Sequence, residues 1–92
     1  SCIGRQDLQA WIGPSVALVH WLRKTGASDG LCTHARSRLM ETQAQRRRGC
    51  PDLVHLAQGI RHLLQAIASE ELESPELDRL CKRLRDLTRD TS

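Results

Sequence analysis

The sequence predicts an all-α protein, folded as a compact bundle of four to five short helices in a single domain. Apolar residues recur every three or four positions along most of the chain, and no useful stretch alternates apolar and polar residues as a strand would. A chain of 92 residues is long enough for only one hydrophobic core. The composition, 39% hydrophobic and 27% charged, is typical of chains that fold.

The first two helices are expected at residues 7–12 and 15–25. Gly13 and Pro14 lie between them, a pair typical of a helix end followed by the first-turn proline of the next helix. Because the second of these helices has almost no polar face, we expect it to lie at the centre of the bundle. The apolar residues of the two helices are Leu8, Trp11, Ile12, Val16, Ala17, Leu18, Val19, Trp21 and Leu22.

A third helix is expected at residues 29–45, with Ser28 or Asp29 as its N-cap. Its apolar positions trace a narrow stripe, while the remaining positions are polar or charged. We therefore expect one side of this helix to pack on the core and the other to face solvent. The stripe consists of Leu31, Cys32, Ala35, Leu39 and Met40.

The fourth helix, expected at residues 51–69, carries the strongest helical pattern in the chain. Pro51 is suited to a first turn, and Asp52 favours the positive end of the helix dipole. The continuous apolar stripe predicts that this helix organises the core. Its members are Leu53, Leu56, Ala57, Ile60, Leu63, Leu64, Ile67 and Ala68.

An acidic connector leads into a fifth helix, expected at residues 75–89. Ser74 is suited to the N-cap and Pro75 to the first turn. Residues 70–78 contain five carboxylates and no basic residue, whereas residues 36–48 contain five arginines against one glutamate. The surface is therefore expected to be electrically polarised. Such opposed patches can pair within the fold, steer a partner or keep the surface soluble.

The basic segment 36–48 ends in Arg46, Arg47 and Arg48, which are candidates for contact with a binding partner. An acidic protein partner and the phosphates of a nucleic acid both fit this charge. Proteins that bind single-stranded nucleic acid usually also carry aromatic side chains that stack on the bases, and this chain contains no Tyr or Phe. A solvated helix end with no partner is the third interpretation of this segment.

His55, Gly59 and His62 share one face of the fourth helix. The two histidines are two turns apart, about 10 Å, which is too far for both to bind one metal ion. The small residue between them would let another helix approach closely. The face is therefore either packed within the bundle or a groove for the helix of a partner protein.

The four cysteines, at positions 2, 32, 50 and 81, lack the paired spacing of a zinc site. We expect them to be mainly reduced thiols in an intracellular protein of the cytoplasm or nucleus. Cys50 follows three arginines and precedes a helix, which would favour its thiolate. No base for thiol catalysis is identifiable beside it in the sequence.

We therefore expect no enzyme, no catalytic residue, no metal and no cofactor. No sequence segment is apolar for long enough to span a bilayer, so no membrane association is expected. The predicted function is a protein interaction module that docks a partner's helix or short motif, or that self-associates. The alternative is a helical nucleic-acid-binding domain that uses the basic segment 36–48. The expected partner-binding residues are Arg46, Arg47, Arg48, His55, Gly59 and His62.

Overall fold

The computed structural model describes residues 5–49 and 51–91, which form four α-helices and no strand. This confirms the predicted all-α bundle. In chain order the helices are α1 (Arg5–Lys24), α2 (Asp29–Arg48), α3 (Leu53–Ser69) and α4 (Pro75–Arg89).

The predicted break between the first two helices is wrong, because α1 continues through Gly13 and Pro14. Pro14 has no N–H to donate to the carbonyl oxygen of Ala10, so the helix loses one backbone hydrogen bond at this point. Gly13 has no Cβ to collide with the proline ring, which removes part of the usual clash before a proline. The Ser15 hydroxyl also donates to the carbonyl oxygen of Trp11 at 2.7 Å. These features let one long helix replace two short ones.

The other helix boundaries lie within a few residues of the predicted ones. Ser28 caps α2 by accepting a hydrogen bond from the Leu31 N–H at 3.2 Å, and Ser74 caps α4 through Leu77 in the same way. Helix α2 runs on to Arg48, where Gly49 ends it in the left-handed conformation with φ of 81°. Helix α3 starts at Leu53 because Asp52 is its N-cap rather than a helical residue.

The helices form a closed four-membered arrangement. Helix α1 packs on α2 and α4, and α3 packs on the same two, while the diagonal pairs do not meet within the described residues. The Arg46 side chain at the end of α2 reaches Gln9 near the start of α1, and Ser28 before α2 contacts Glu70 after α3. Neighbouring helices are therefore antiparallel, as in an up-down-up-down bundle.

The core lies along the bundle axis and is mostly leucine. Most of the apolar stripe of α3 is buried, as predicted, but Ala68 is exposed. On α2 the predicted stripe is only partly correct, because Met40 is 62% exposed and Leu39 half-buried. Val16 of α1 is also exposed. The fully buried large aliphatic side chains are Leu8, Leu18, Leu22, Ile60, Leu63, Leu77 and Leu84.

Candidate functional site

A strip of basic and imidazole side chains follows the line where α2 and α3 pack together. We call it the α2–α3 surface. Its charged and imidazole groups influence one another electrostatically, and its arginine nearest the core lies against the glycine of α3. The α2–α3 surface consists of His34, Arg38, Glu41 and Arg48 on α2 and His55, Gly59 and His62 on α3.

Arg38 lies across Gly59 at the centre of the α2–α3 surface. A Cβ atom at position 59 would be 2.9 Å from Arg38 Cδ and 3.3 Å from Arg38 Cζ, so only glycine accommodates this position of the arginine. Arg38 Nε is buried and finds no hydrogen-bond partner among the described residues. Because a guanidinium group is always charged, this buried donor calls for an acceptor.

His34 and His62 flank the arginine. Burial lowers the pKa of His34, and the neighbouring charges of Arg38 and His62 lower it further. His34 is half-buried, whereas His62 is exposed to solvent. Arg38 and His62 therefore both lie close enough to His34 to make its protonation harder.

Glu41 is the carboxylate of the α2–α3 surface, and it lies toward the other end of the strip. The Gln45 side chain donates a hydrogen bond to it at 3.1 Å, which lowers the pKa of Glu41, and the charges of Arg48, His55 and Arg38 act in the same direction. Gln45 also accepts a hydrogen bond from the backbone N–H of Asp52. Gln45 thus holds Glu41 on the side of Arg38 that faces the α2–α3 turn, about two turns of α2 from His34.

The three consecutive arginines do not all face the same way, although Arg46 and Arg47 line one depression together with Gln43. Arg46 turns toward α1, where it donates a hydrogen bond to Gln9 at 2.9 Å. Arg47 lies beside exposed Met40 on the outward side of α2. Arg48 joins the α2–α3 surface near Glu41. Successive residues on a helix point about 100° apart, so Arg46 and Arg48 face different sides of α2.

The structure brings His55, Gly59 and His62 to one face, but the space beside Gly59 is already filled by Arg38. The group that packs against this glycine is therefore a side chain of the bundle itself. His34 was missed as a site residue, and Arg38 was expected only as part of the basic segment 36–48 of the nucleic-acid alternative. The sequence shows that positions 34 and 38 are four apart on one helix, but it does not show which helix lies opposite them.

The acidic connector lies at the opposite end of the bundle from Arg46, Arg47 and Arg48. Glu70 accepts two hydrogen bonds from Ser28, one from its backbone N–H at 3.0 Å and one from its hydroxyl. These bonds lower the pKa of the Glu70 carboxyl. Part of the acidic connector therefore serves to join the start of α2 to the end of α3.

The cysteines within the described residues form no reactive site. Cys81 is buried, and this burial raises the pKa of its thiol. Cys32 is a free, half-buried thiol. The thiols of Cys2 and Cys50 lie outside the described residues. Across 5–49 and 51–91, no three His, Cys, Asp or Glu side chains are grouped so that they could hold a metal ion.

Comparisons with known proteins do not assign a function to the α2–α3 surface. No protein-family model matches the chain, and no curated protein or solved structure matches it. Among the four helices described, none combines the length and apolar character needed to cross a membrane.

Proposed function

We propose that the protein is a protein interaction module and that its α2–α3 surface docks a short acidic segment of a partner protein. The observation that carries this proposal is Arg38, a half-buried cation that lies against Gly59, one turn of α2 from His34. A carboxylate on a docked segment would accept hydrogen bonds from the outer N–H groups of this guanidinium, and a charge-assisted hydrogen bond of this kind is about twice as strong as a neutral one.

The charge of the surface supports an acidic partner. Two arginines and three histidines line it against one carboxylate, and that carboxylate is engaged with Gln45. The docked segment need not be a helix, because Arg38 occupies the space beside Gly59 that a close helix contact would use. An extended acidic motif lying along the line between α2 and α3 fits better.

We place this function inside the cell, in the cytoplasm or the nucleus. Cys32 and Cys81 are free thiols. Free thiols of this kind are typical of reducing compartments. The proposal includes no catalytic step and no cofactor, because an interaction module needs only the complementary surface.

The proposal is tested by titrating the ¹⁵N-labelled chain with hexaglutamate, and with hexalysine as a control peptide. We expect hexaglutamate to shift the backbone signals around His34, Arg38 and His62 in a saturable way. Arg38→Gln should abolish these shifts. The matched control is Arg36→Gln, which removes the same charge from the same helix at a position that faces the groove between α1 and α2.

Three results would contradict the proposal. Equal loss of binding in Arg36→Gln and Arg38→Gln would mean that only overall charge matters. Shifts confined to Arg36, Arg46 and Arg47, together with tighter binding of a single-stranded RNA and a steep salt dependence, would favour the nucleic-acid alternative. A mass in analytical ultracentrifugation that doubles with concentration and is unaffected by Arg38→Gln would favour self-association through another surface.

A further inference from the structure

We propose that the group of His34, Arg38 and His62 binds a phosphate ester. The docked segment would then be recognised through a phosphorylated side chain. This inference rests on the proposed function and names the ligand chemistry of the same surface. Arg38 is the member of the group nearest Glu41, one turn along α2, and that carboxylate is engaged with Gln45.

The number of charges in the group favours a dianion over a carboxylate. Arg38 is permanently charged, and each imidazole gains a charge on protonation. A carboxylate offers a single negative charge, which Arg38 alone compensates. A phosphorylated serine or threonine carries a charge of about −1.5 to −2 near neutral pH, so it can pair with Arg38 and still favour protonation of an imidazole beside it.

The number of donors in the group points the same way. A phosphate ester has three terminal oxygens that accept hydrogen bonds. Arg38 provides N–H donors from a fixed planar fork, and each imidazole has at least one N–H whether it is neutral or charged. His34 and Arg38 lie on α2 and His62 lies on α3, so both helices contribute donors to the group.

Gly59 holds the arginine in the position that this site requires. A side chain at position 59 would push Arg38 Cδ and Cζ away from α3, because a Cβ there would be only 2.9 Å and 3.3 Å from them. The Arg38 atoms nearest Gly59 belong to a long, flexible side chain, so they can move without disturbing the backbone. Gly59→Ala should therefore damage the site while the fold persists.

Binding of a dianion should be coupled to proton uptake at His34. Burial, Arg38 and His62 lower the pKa of His34 in the free protein. An anion bound between these groups cancels the repulsion and raises that pKa. The other titratable groups facing this surface are Glu41 and Arg48 from α2 and His55 from α3, and Glu41, one turn from Arg38, offsets part of the arginine's charge. Helices α1 and α4 pack on the other sides of α2 and α3.

The site is tested first with sulfate, a dianion whose charge does not change between pH 5 and 8. The pKa of His34 is measured from its ring proton signals in sodium sulfate and in sodium chloride at equal ionic strength. We expect sulfate to raise this pKa in the wild type and to leave it unchanged in Arg38→Gln and Gly59→Ala. Arg36→Gln, the control, should respond to sulfate like the wild type.

The second test uses three heptapeptides with identical acidic flanks and a central phosphoserine, glutamate or serine. We expect the phosphoserine peptide to bind the wild type about tenfold more tightly than the glutamate peptide, since it adds a second charge and a third acceptor oxygen. In Arg38→Gln and Gly59→Ala this preference should disappear. Circular dichroism shows whether each variant keeps its helices.

The outcomes separate this inference from the proposed function. If the glutamate and phosphoserine peptides bind the α2–α3 surface equally, and sulfate leaves the His34 pKa unchanged, the phosphate site is refuted while the acidic docking surface stands. If no peptide shifts the signals of this surface, both are refuted. A phosphoserine preference that survives in Arg38→Gln would place the phosphate elsewhere and refute the site as assigned.

Discussion

Gly59 and Gly30 both lie within helices, but they differ in what lies beside their missing side chains. An added Cβ at Gly30 meets nothing within 4 Å, whereas at Gly59 it meets the Arg38 side chain. Glycine inside a helix is less favourable than alanine by about 0.5 to 1 kcal/mol. We expect Gly30→Ala to raise the free energy of unfolding by up to that amount and Gly59→Ala to raise it by less, because Arg38 must move.

Urea denaturation of the two alanine variants measures this difference. An equal gain in both would mean that Arg38 leaves Gly59 at no cost, and the arginine would then not depend on the glycine for its position. A loss of several kcal/mol in Gly59→Ala would mean that the contact holds the two helices together, since displacement of a flexible side chain alone is cheap.

The two described thiols should differ in their rate of alkylation. Cys81 is 7% exposed, and burial raises the pKa of its thiol, so little of the reactive thiolate is present or accessible near neutral pH. Cys32 is half-buried. We expect iodoacetamide to modify Cys32 well before Cys81 in the native protein. Peptide mass spectrometry at timed intervals measures both rates, and equal rates in urea provide the control.

The residue scale is also where prediction from the sequence was weakest. The burial of Leu56 and Leu63 follows from helical periodicity alone, because each helix of a small bundle buries its apolar stripe. The role of Arg38 depends on which helix lies opposite, and no local pattern contains that information. The same limit explains why Met40, placed on the apolar stripe by its spacing, is exposed.

At the scale of the elements, the hydrogen bonds from Ser28, before α2, to Glu70, after α3, predict that stability depends on pH. Glu70 accepts two hydrogen bonds from Ser28, and these lower its folded-state pKa below the ordinary value of 4.5. This contribution is fully present above the pKa of the unfolded chain and is lost as the pH falls through the lower, folded-state pKa. We expect Glu70→Gln to weaken the loss of stability on acidification below about pH 5.

Thermal melts at closely spaced pH values, for the wild type and Glu70→Gln, measure this effect. The matched control is Glu73→Gln, which removes an exposed carboxylate from the same connector. If both variants change the acid side of the stability curve equally, the effect belongs to the net charge of the connector. The contact between Ser28 and Glu70 would then contribute nothing specific.

Helix boundaries were predictable where a capping residue fixes them. Ser28 and Ser74 cap α2 and α4 as expected, because a serine hydroxyl accepts an N–H that the helix leaves free. The boundary at Pro14 was wrong, since a proline ends a helix only when its cost cannot be offset locally. Gly13 before it has no Cβ to collide with the proline ring, which offsets part of that cost.

At the scale of the whole molecule, the core depends on α3. Leu63 is fully buried where α3 meets its neighbours, and its truncation leaves a cavity. We expect Leu63→Ala to lower the free energy of unfolding by about 2 to 5 kcal/mol. For a domain of this size that is a large share of the total, which is typically about 5 to 15 kcal/mol. Met40→Ala, at an exposed position, is the control.

Chemical denaturation followed by circular dichroism gives both values. A loss below about 1 kcal/mol in Leu63→Ala would mean that the site collapses around the smaller side chain. It would also remove the basis for treating α3 as the organising helix. A comparable loss in Met40→Ala would mean that Met40 is covered in solution, for example by a second copy of the chain.

The closed arrangement of the four helices also determines how far apart in the chain the contacting residues are. Three of the four interfaces join helices that follow one another directly, and only the α1–α4 interface joins distant segments. Chains dominated by such local contacts fold in about microseconds to milliseconds. We expect this protein to fold in that range, as measured by temperature-jump fluorescence of its tryptophans. Because most contacting helices are neighbours in the chain, partly folded intermediates that could aggregate should be short-lived.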